Sequence, residues 1–541
     1  MKNETIAAAL AFVMLCVLVL FGDAYGGSGT ADAETVWTAE ITLTGDTAEW
    51  TGDGVTLEDG VLTLGGSGTY RLTGTWQEGC IVVEAGKKGY VTLVLDGLDV
   101  SSSTGSALEI ASCSRVTVLT AEGSENRLKS TAQGDDAASA LVTKADLLLD
   151  GAGSLTLVSA GKHGVQAADS LTVSGGTLAI EAAKAGLRAN DFILISDGGI
   201  SVTAGEDGLH ADGDESKPDT GWIEIAGGSL VICAGDDGVH AETKLTVSGG
   251  SLTVTESYEG LEAEEIVILG GDIDVTAEDD GMNAAAAGSS AEPDFAGGER
   301  AGMPEGAKPP EGMEPPEGME PAEGMEPPED VEPAEGMEPP GGMDFPQGAG
   351  PEKGGQPGDF APGEGAKETD STSAAPALLR ISGGTVRVHA GGDGLDSNGD
   401  LVIEGGTVVV DGPSESMNGA LDSGSENGGS LIVSGGTVLA VGASGMDECF
   451  GEDSAQVSFR YAGLAFEAGD VIRVSLSDGT VLFEHTAKDS GDSVVFSSPE
   501  LEEGQTVILQ VGEEETEIQL TGRTTSAGQS AGFAGRMGRH R

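Results

Sequence analysis

The fold is decided between residues 171 and 283, where one phrase recurs five times: LTVSGGTLAIEAAKAGL (171–187), ILISDGGISVTAGEDGL (193–209), IEIAGGSLVICAGDDGV (223–239), LTVSGGSLTVTESYEGL (245–261) and IVILGGDIDVTAEDDGM (266–282). Each copy reads as a strand, a Gly-Gly corner, a second strand and an acidic turn closed by glycine. Two more copies begin at Leu379 and Leu401. The turn glycines are Gly164, Gly186, Gly208, Gly238, Gly260, Gly281 and Gly394, and the steps from Gly164 to Gly281 are 22, 22, 30, 22 and 21 residues. A unit this short cannot bury a core alone, so the copies must stack.

Within one copy Leu171 and Val173, then Leu178 and Ile180, alternate with polar or small residues, the two-residue period of a half-buried strand. That excludes a helical solenoid. Pairs such as Gly175-Gly176, Gly249-Gly250 and Gly383-Gly384 supply a sharp corner where a side chain would clash. The expected fold is all-β: a parallel β-helix of about 22 residues per coil. The Leu-x-x-Leu-x-Leu signature of leucine-rich horseshoes is missing, and the calcium-binding nonapeptide roll has a shorter period. With 89 glycines, 4% aromatic and 38% hydrophobic residues in 541, the chain has little material for a thick core, and a narrow β-helix needs only a thin one.

Outward from the repeats, the composition divides the chain. Lys2, the apolar run from Ile6 to Phe21 and the Ala24-Tyr25-Gly26 site read as a signal peptide over 1–26, which places the protein outside the cell or on its surface. Only this segment, if uncleaved, would touch a membrane. Residues 27–105 read as an N-terminal cap and first coils, 106–283 as β-helix, and 377–454 as its continuation. Between them, 284–376 holds 17 of the 20 prolines and four copies of Glu-Gly-Met-Glu-Pro, an acidic low-complexity insert expected to be disordered. It leaves at the corner from which the longer coils bulge, between Asp212 and Gly221 and between Asp422 and Gly429. Residues 455–522, with an Asp478-Gly479 hairpin turn, read as a small antiparallel β module covering the open end of the helix, and 523–541 as a disordered tail. Cys80, Cys113, Cys233 and Cys449 lack metal-ligand spacing; a Cys80–Cys113 disulfide and buried free thiols are both open readings.

Asp and Glu number 91 against 26 Lys and Arg, a net charge of −65, which makes nucleic acid a poor partner and cations good ones. The carboxylates follow the repeat. One column holds Asp207, Asp237, Glu259, Asp280 and Asp393, each before a turn glycine, with Glu206, Asp236 and Asp279 beside it. Stacked at roughly 4.8 Å, two such charges repel by roughly 3 kcal/mol at an effective dielectric of about 20. Hard oxygen ligands with flexible spacing suit Ca²⁺, and side chains that fan into water would bind nothing. A second column, two residues past each glycine, runs Gln166, Arg188, His210, His240, Glu262, Asn283 and Asp396. Arg188, His210, His240 and Glu262 are candidates for pairing or sugar contact, together with Trp222, placed in a loop on the ligand side.

The run from about Thr69 to Asn283, with LVLDGLDV, ADLLLDGAGSLTL, GLHADGDES, AGDDGVHA and AEDDGMNAA, resembles a family of exported carbohydrate-binding β-helix proteins associated with cellulose and polygalacturonate, similar in fold to pectate lyases. The resemblance extends through GGDGLDSNGDLVIEGG and the final module. It implies a right-handed parallel β-helix, several bound Ca²⁺, and binding rather than cleavage. By motif position its calcium residues correspond to Asp207, Asp237, Asp280 and Asp393. The sequence departs from the pattern at Lys184-Ala185-Gly186, at Glu259 and at Met417. The expected function is Ca²⁺-assisted, non-catalytic binding of a polysaccharide by a monomer; a Ca²⁺-dependent uronate lyase and a structural matrix protein are the alternatives.

Overall fold

Each repeat contributes one strand to each of three ladders, and almost every neighbour in a ladder runs parallel. The computed structural model describes residues 36–214, 216–285, 377–415, 417–425 and 428–529, all within one unit. The first ladder contains Glu125–Ser130, Ser154–Ser159, Thr177–Ala182, Gly199–Ala204, Ser229–Ala234, Ser251–Glu256, Asp272–Ala277, Thr385–Ala390, Thr407–Asp411 and Thr437–Gly442. A second ladder follows each turn: the three-residue strands Val165–Ala167, Leu187–Ala189 and Leu209–Ala211 stack in parallel, continue through the longer Val239–Val247 and Leu261–Ile268, and go on to Met282–Ala284 and Leu395–Ser397. The third precedes each Gly-Gly corner, through Ser170–Val173, Phe192–Ile195 and Trp222–Ile225. The protein is all-β with a long, mostly parallel sheet, and the helix among the described residues is a single 3-10 turn, Gly134–Asp136.

Alternation in the sequence becomes a column in the core. Leu157, Ile180, Val202, Ile232, Val254, Val275, Val388 and Val410 are partners in successive strands and lie almost wholly out of water. Each stabilises by about 1.5–3 kcal/mol when buried from water, and the sum runs along the stack as one continuous cluster. The second glycine of each corner has a left-handed φ, +81° at Gly176 and +79° at Gly250, which L side chains rarely adopt.

Parallel pairing starts at Ala39–Gly45 against Gly68–Trp76, so the irregular N-terminal stretch already belongs to the ladders; an antiparallel strand, Ala48–Gly52, lies on its other side. Across the insert, Met282–Ala284 pairs with Leu395–Ser397 and Asp272–Ala277 with Thr385–Ala390, as one register. At the C-terminal end Thr437–Gly442 accepts an antiparallel partner, Gly491–Ser497, which ends parallel addition on that ladder. A separate four-stranded antiparallel sheet, containing Val471–Leu476, Val481–Thr486, Thr506–Val511 and Glu514–Gln519, packs its apolar face on a second cluster with Phe459, Phe466 and Phe496. The signal-peptide segment, the acidic insert beyond residue 285 and the tail beyond residue 529 lie outside the described residues; the start of the tail expected to be disordered from 523 is instead a strand, Thr524–Gly528, because it pairs in parallel with Ser458–Phe466. The four described cysteines are free; Cys113 is buried and the others are half-buried.

Candidate functional site

The acidic turn is built by glycine. The N–H of Gly186 donates to the carbonyl of Asp207 (2.9 Å), that of Gly208 to Asp237 (2.8 Å), Gly238 to Glu259 (2.9 Å), Gly260 to Asp280 (2.9 Å) and Gly281 to Asp393 (2.9 Å). This chain of bonds places the five expected acids in one column. Close backbone approach explains the glycines: a Cβ at Gly281 would sit 2.6 Å from the carbonyl oxygen of Gly394 and closer still to Val388. Carboxylates join the ladder too, since Oδ1 of Asp207 accepts from the N–H of Asp237 (3.3 Å) and Oδ1 of Asp280 from that of Asp393 (2.6 Å). The second column is also continuous: Gln166, Arg188, His210, His240, Glu262, Asn283 and Asp396 are register partners on successive strands.

Side-chain partners divide this double column in two. In the first half, Arg188 donates twice to Asp212 (2.9 and 2.8 Å). His210 contacts Asp207 through Nδ1 (2.7 Å) and Asp212 through Nε2 (3.2 Å), and His240 contacts Asp237 (2.8 Å) and Glu262 (2.7 Å) through Nδ1. Burial disfavours the charged forms, yet these contacts outweigh it: His210 is raised to about 9, His240 to about 11, Asp212 is held at about 2, and Asp207 is lowered. One imidazolium does not serve two carboxylates equally. Burial and the charge of Glu262 push Asp237 up, while His240 overcomes burial to lower Glu262.

In the second half the acids stand without a cationic partner among the described residues. Among the described residues no Lys, Arg or His is hydrogen-bonded or ion-paired to Asp280, Asp393 or Asp396. Burial, followed by the charge of Asp393, pushes Asp280 up to about 7; burial, then Asp280 and Asp393, pushes Asp396 to about 8. Glu259 rises to about 8 from burial and the charges of Glu262 and Asp237, although Asn283 donates to it (3.1 Å). The other amide atom, Oδ1 of Asn283, is buried without a partner. An unsatisfied buried oxygen near carboxylates that take only amide N–H donors is the chemistry of a hard-cation site, so the donor types present fit Ca²⁺.

The remaining expected residues are placed differently. Glu206 is held by Lys184 (2.7 Å), Asp236 is exposed, and Asp279 is half-buried near Asp280 and Asp393. Trp222 is not in a loop; it opens the strand Trp222–Ile225, because its ring stacks on Phe192 one repeat earlier (4.3 Å between centroids, 6° between planes) and the apolar run behind it extends the ladder. Sequence reasoning missed Asp212, the bridge between Arg188 and His210. Its signal was its position two residues after His210, at the root of the 30-residue copy. It also missed His163, buried in the pre-glycine position of an earlier repeat and lowered to about 4, first by burial and then by Arg188 and Lys184.

Residues 58–299 match the family model described as "Carbohydrate-binding domain-containing protein". A carbohydrate-binding domain-containing protein of Acetivibrio thermocellus is 27% identical over 181 residues, covering 31% of this chain and 63% of the relative, so the match spans less than two thirds of that protein. A solved structure, the polysaccharide lyase-like protein from C. thermocellum as a gadolinium derivative, aligns with 44% of this chain and 93% of its own at 24% identity and a TM-score of 0.37.

Proposed function

We propose that this chain is an extracellular, right-handed parallel β-helix that binds polysaccharide without cleaving it, using Ca²⁺ held by the unpaired acids. The observation that carries the reading is the unbroken polar column from Arg188 to Asp396, which lies within and just beyond the segment matching the carbohydrate-binding family. Hydroxyls of an extended glycan can hydrogen-bond along such a row. Asp280, Asp393 and Asp396, with Oδ1 of Asn283, are the residues from which Ca²⁺ would draw ligands, their side chains closing in on it because no three of these acids have ligand atoms within 4.8 Å of one another as they stand; when bound it would cancel their repulsion and offer a positive contact to a uronate carboxylate. A chain of net charge −65 holds an anionic polyuronate only if cations lie between them, so polygalacturonate is one expected ligand and cellulose, a neutral one, the other.

Binding is favoured over lysis by how the basic groups are used. Arg188 is committed to Asp212, and His210 and His240 are protonated in carboxylate contacts at neutral pH, whereas a lyase needs an unprotonated base beside the sugar. A glycan array read with Ca²⁺ and with chelator, alongside an assay for ultraviolet-absorbing unsaturated product, tests both claims. Expected are calcium-dependent retention of polygalacturonate, weaker dependence for cellulose, and no product. Product formation would establish the lyase; retention of no glycan in either condition would leave a structural matrix protein.

A further inference from the structure

His210 and His240 form an internal comparison. Their rings stack at 4.7 Å between centroids and 9° between planes, and each sets Nδ1 against the aspartate three residues earlier, at 2.7 and 2.8 Å. His210 has one carboxylate for each ring nitrogen, since Nε2 faces Asp212 at 3.2 Å. His240 does not. Its Nδ1 also lies 2.7 Å from Oε2 of Glu262, while the carboxylate facing its Nε2, Glu242, stands at 4.0 Å. A ring nitrogen carries at most one hydrogen, yet this one meets two carboxylates at hydrogen-bond distance. Among the described residues, Asp237, His240 and Glu262 are the one set of three His, Cys, Asp or Glu whose ligand atoms all lie within 4.8 Å of one another. Side-chain exposure is 10% for Asp237, 22% for His240 and 21% for Glu262, so protein encloses the set on one side and solvent reaches it on the other.

We propose that Asp237, His240 and Glu262 bind a first-row divalent transition ion of the Zn²⁺ type through Oδ2, Nδ1 and Oε2, leaving a fourth position open to water or to a ligand's carboxylate oxygen. Imidazole selects Zn²⁺ and its neighbours, whereas Ca²⁺ takes oxygen donors, so this centre is chemically distinct from Asp280 and Asp393. Zinc bonds to nitrogen and carboxylate oxygen are ~2.0–2.2 Å, and a tetrahedral ion needs the two contacts at Nδ1 to open by about half an ångström. Both Glu262, about one-fifth exposed, and the more buried Asp237 would shift by that amount when the ion enters. The ion takes the place of the Nδ1 proton and neutralises both carboxylates, which a single imidazolium cannot. None of this depends on the protein binding polysaccharide.

The test uses the untagged full chain, stripped with chelator and returned to excess Ca²⁺ so that oxygen sites are filled, then titrated with Zn²⁺ by calorimetry and with Co²⁺ by visible absorption. Expected are one saturable Zn²⁺ site and Co²⁺ ligand-field bands. His240→Asn and Glu262→Gln should each weaken Zn²⁺ by at least about 10- to 100-fold, the loss seen when only the outer partner of a ligand is removed, with Ca²⁺ binding kept. Absence of saturable Zn²⁺ binding in the parent, or parental affinity in the variants, overturns the proposal. If His240→Asn does not fold, Glu262→Gln, which preserves size and removes only charge, decides the matter.

Discussion

The two halves of the polar column share a backbone and differ in what neutralises them. Around Arg188, His210 and His240 the protein carries its own cations, while around Asp280, Asp393 and Asp396 it places none among the described residues. The turn glycines, the carbonyl ladder and the register are the same throughout. One architecture therefore presents acids met largely by the protein's own cations at one end and acids with no cationic partner among the described residues at the other, the end where Ca²⁺ is proposed to bind.

The largest expected effect is one in which the halves behave alike. Gly208→Ala and Gly281→Ala should each cost about 3 kcal/mol or more, the upper end of overpacking, because the new Cβ meets the carbonyl oxygen of the next turn glycine and an aliphatic side chain in both places. Thermal unfolding in saturating Ca²⁺ measures this, and indifference at either position would show that the column is looser there. Next, adding Ca²⁺ at a hundredfold excess over Kd should stabilise the folded protein by about 2.7 kcal/mol per independent site. The gain should survive Asp207→Asn and vanish in the Asp280→Asn/Asp393→Asn double variant. Survival in the double variant would place calcium elsewhere.

In chelator the halves should respond with opposite signs. Asp207→Asn removes one of the two carboxylate partners of the half-buried His210 ring and should lower the melting temperature by the equivalent of about 1–3 kcal/mol. Asp280→Asn relieves repulsion between stacked carboxylates while its Oδ1 can still accept from Asp393, so it should raise it, by up to roughly 3 kcal/mol. Equal signs would dissolve the comparison.

The halves also separate in pH. Glu259, Asp280 and Asp396, raised to about 8, 7 and 8, hold more protons folded than unfolded, so metal-free stability should fall as pH climbs from about 4, the ordinary carboxylate range, through about 8. The paired half runs differently. The contribution of Asp212 is present above the ordinary carboxylate range and lost as pH falls toward about 2, whereas that of His210 is complete below the ordinary imidazole value and lost as pH rises through about 9. Melting temperature against pH, with Asp396→Asn and His210→Asn as the two probes, separates these slopes.

Strand placement was legible in the sequence because alternation and repeat length are local properties. Leu178 and Ile180 point inward because they stand two positions apart, and any chain with that period stacks Ile180 on Val202. The same arithmetic brought Asp280 next to Asp393 over a long insertion. Trp222 was misplaced because a loop boundary depends on a partner, here Phe192, that lies a full repeat away in sequence.

The sequence by itself determined the strands, the glycine corners and which residues share a column, since all three follow from spacing along one chain. Only the tertiary structure decided which carboxylates are neutralised. Arg188 reaches Asp212 from the preceding repeat, and Nδ1 of His240 meets an aspartate of its own turn and a glutamate of the next. Burial and the identity of a neighbour one repeat away set those charges, and neither is written in the spacing.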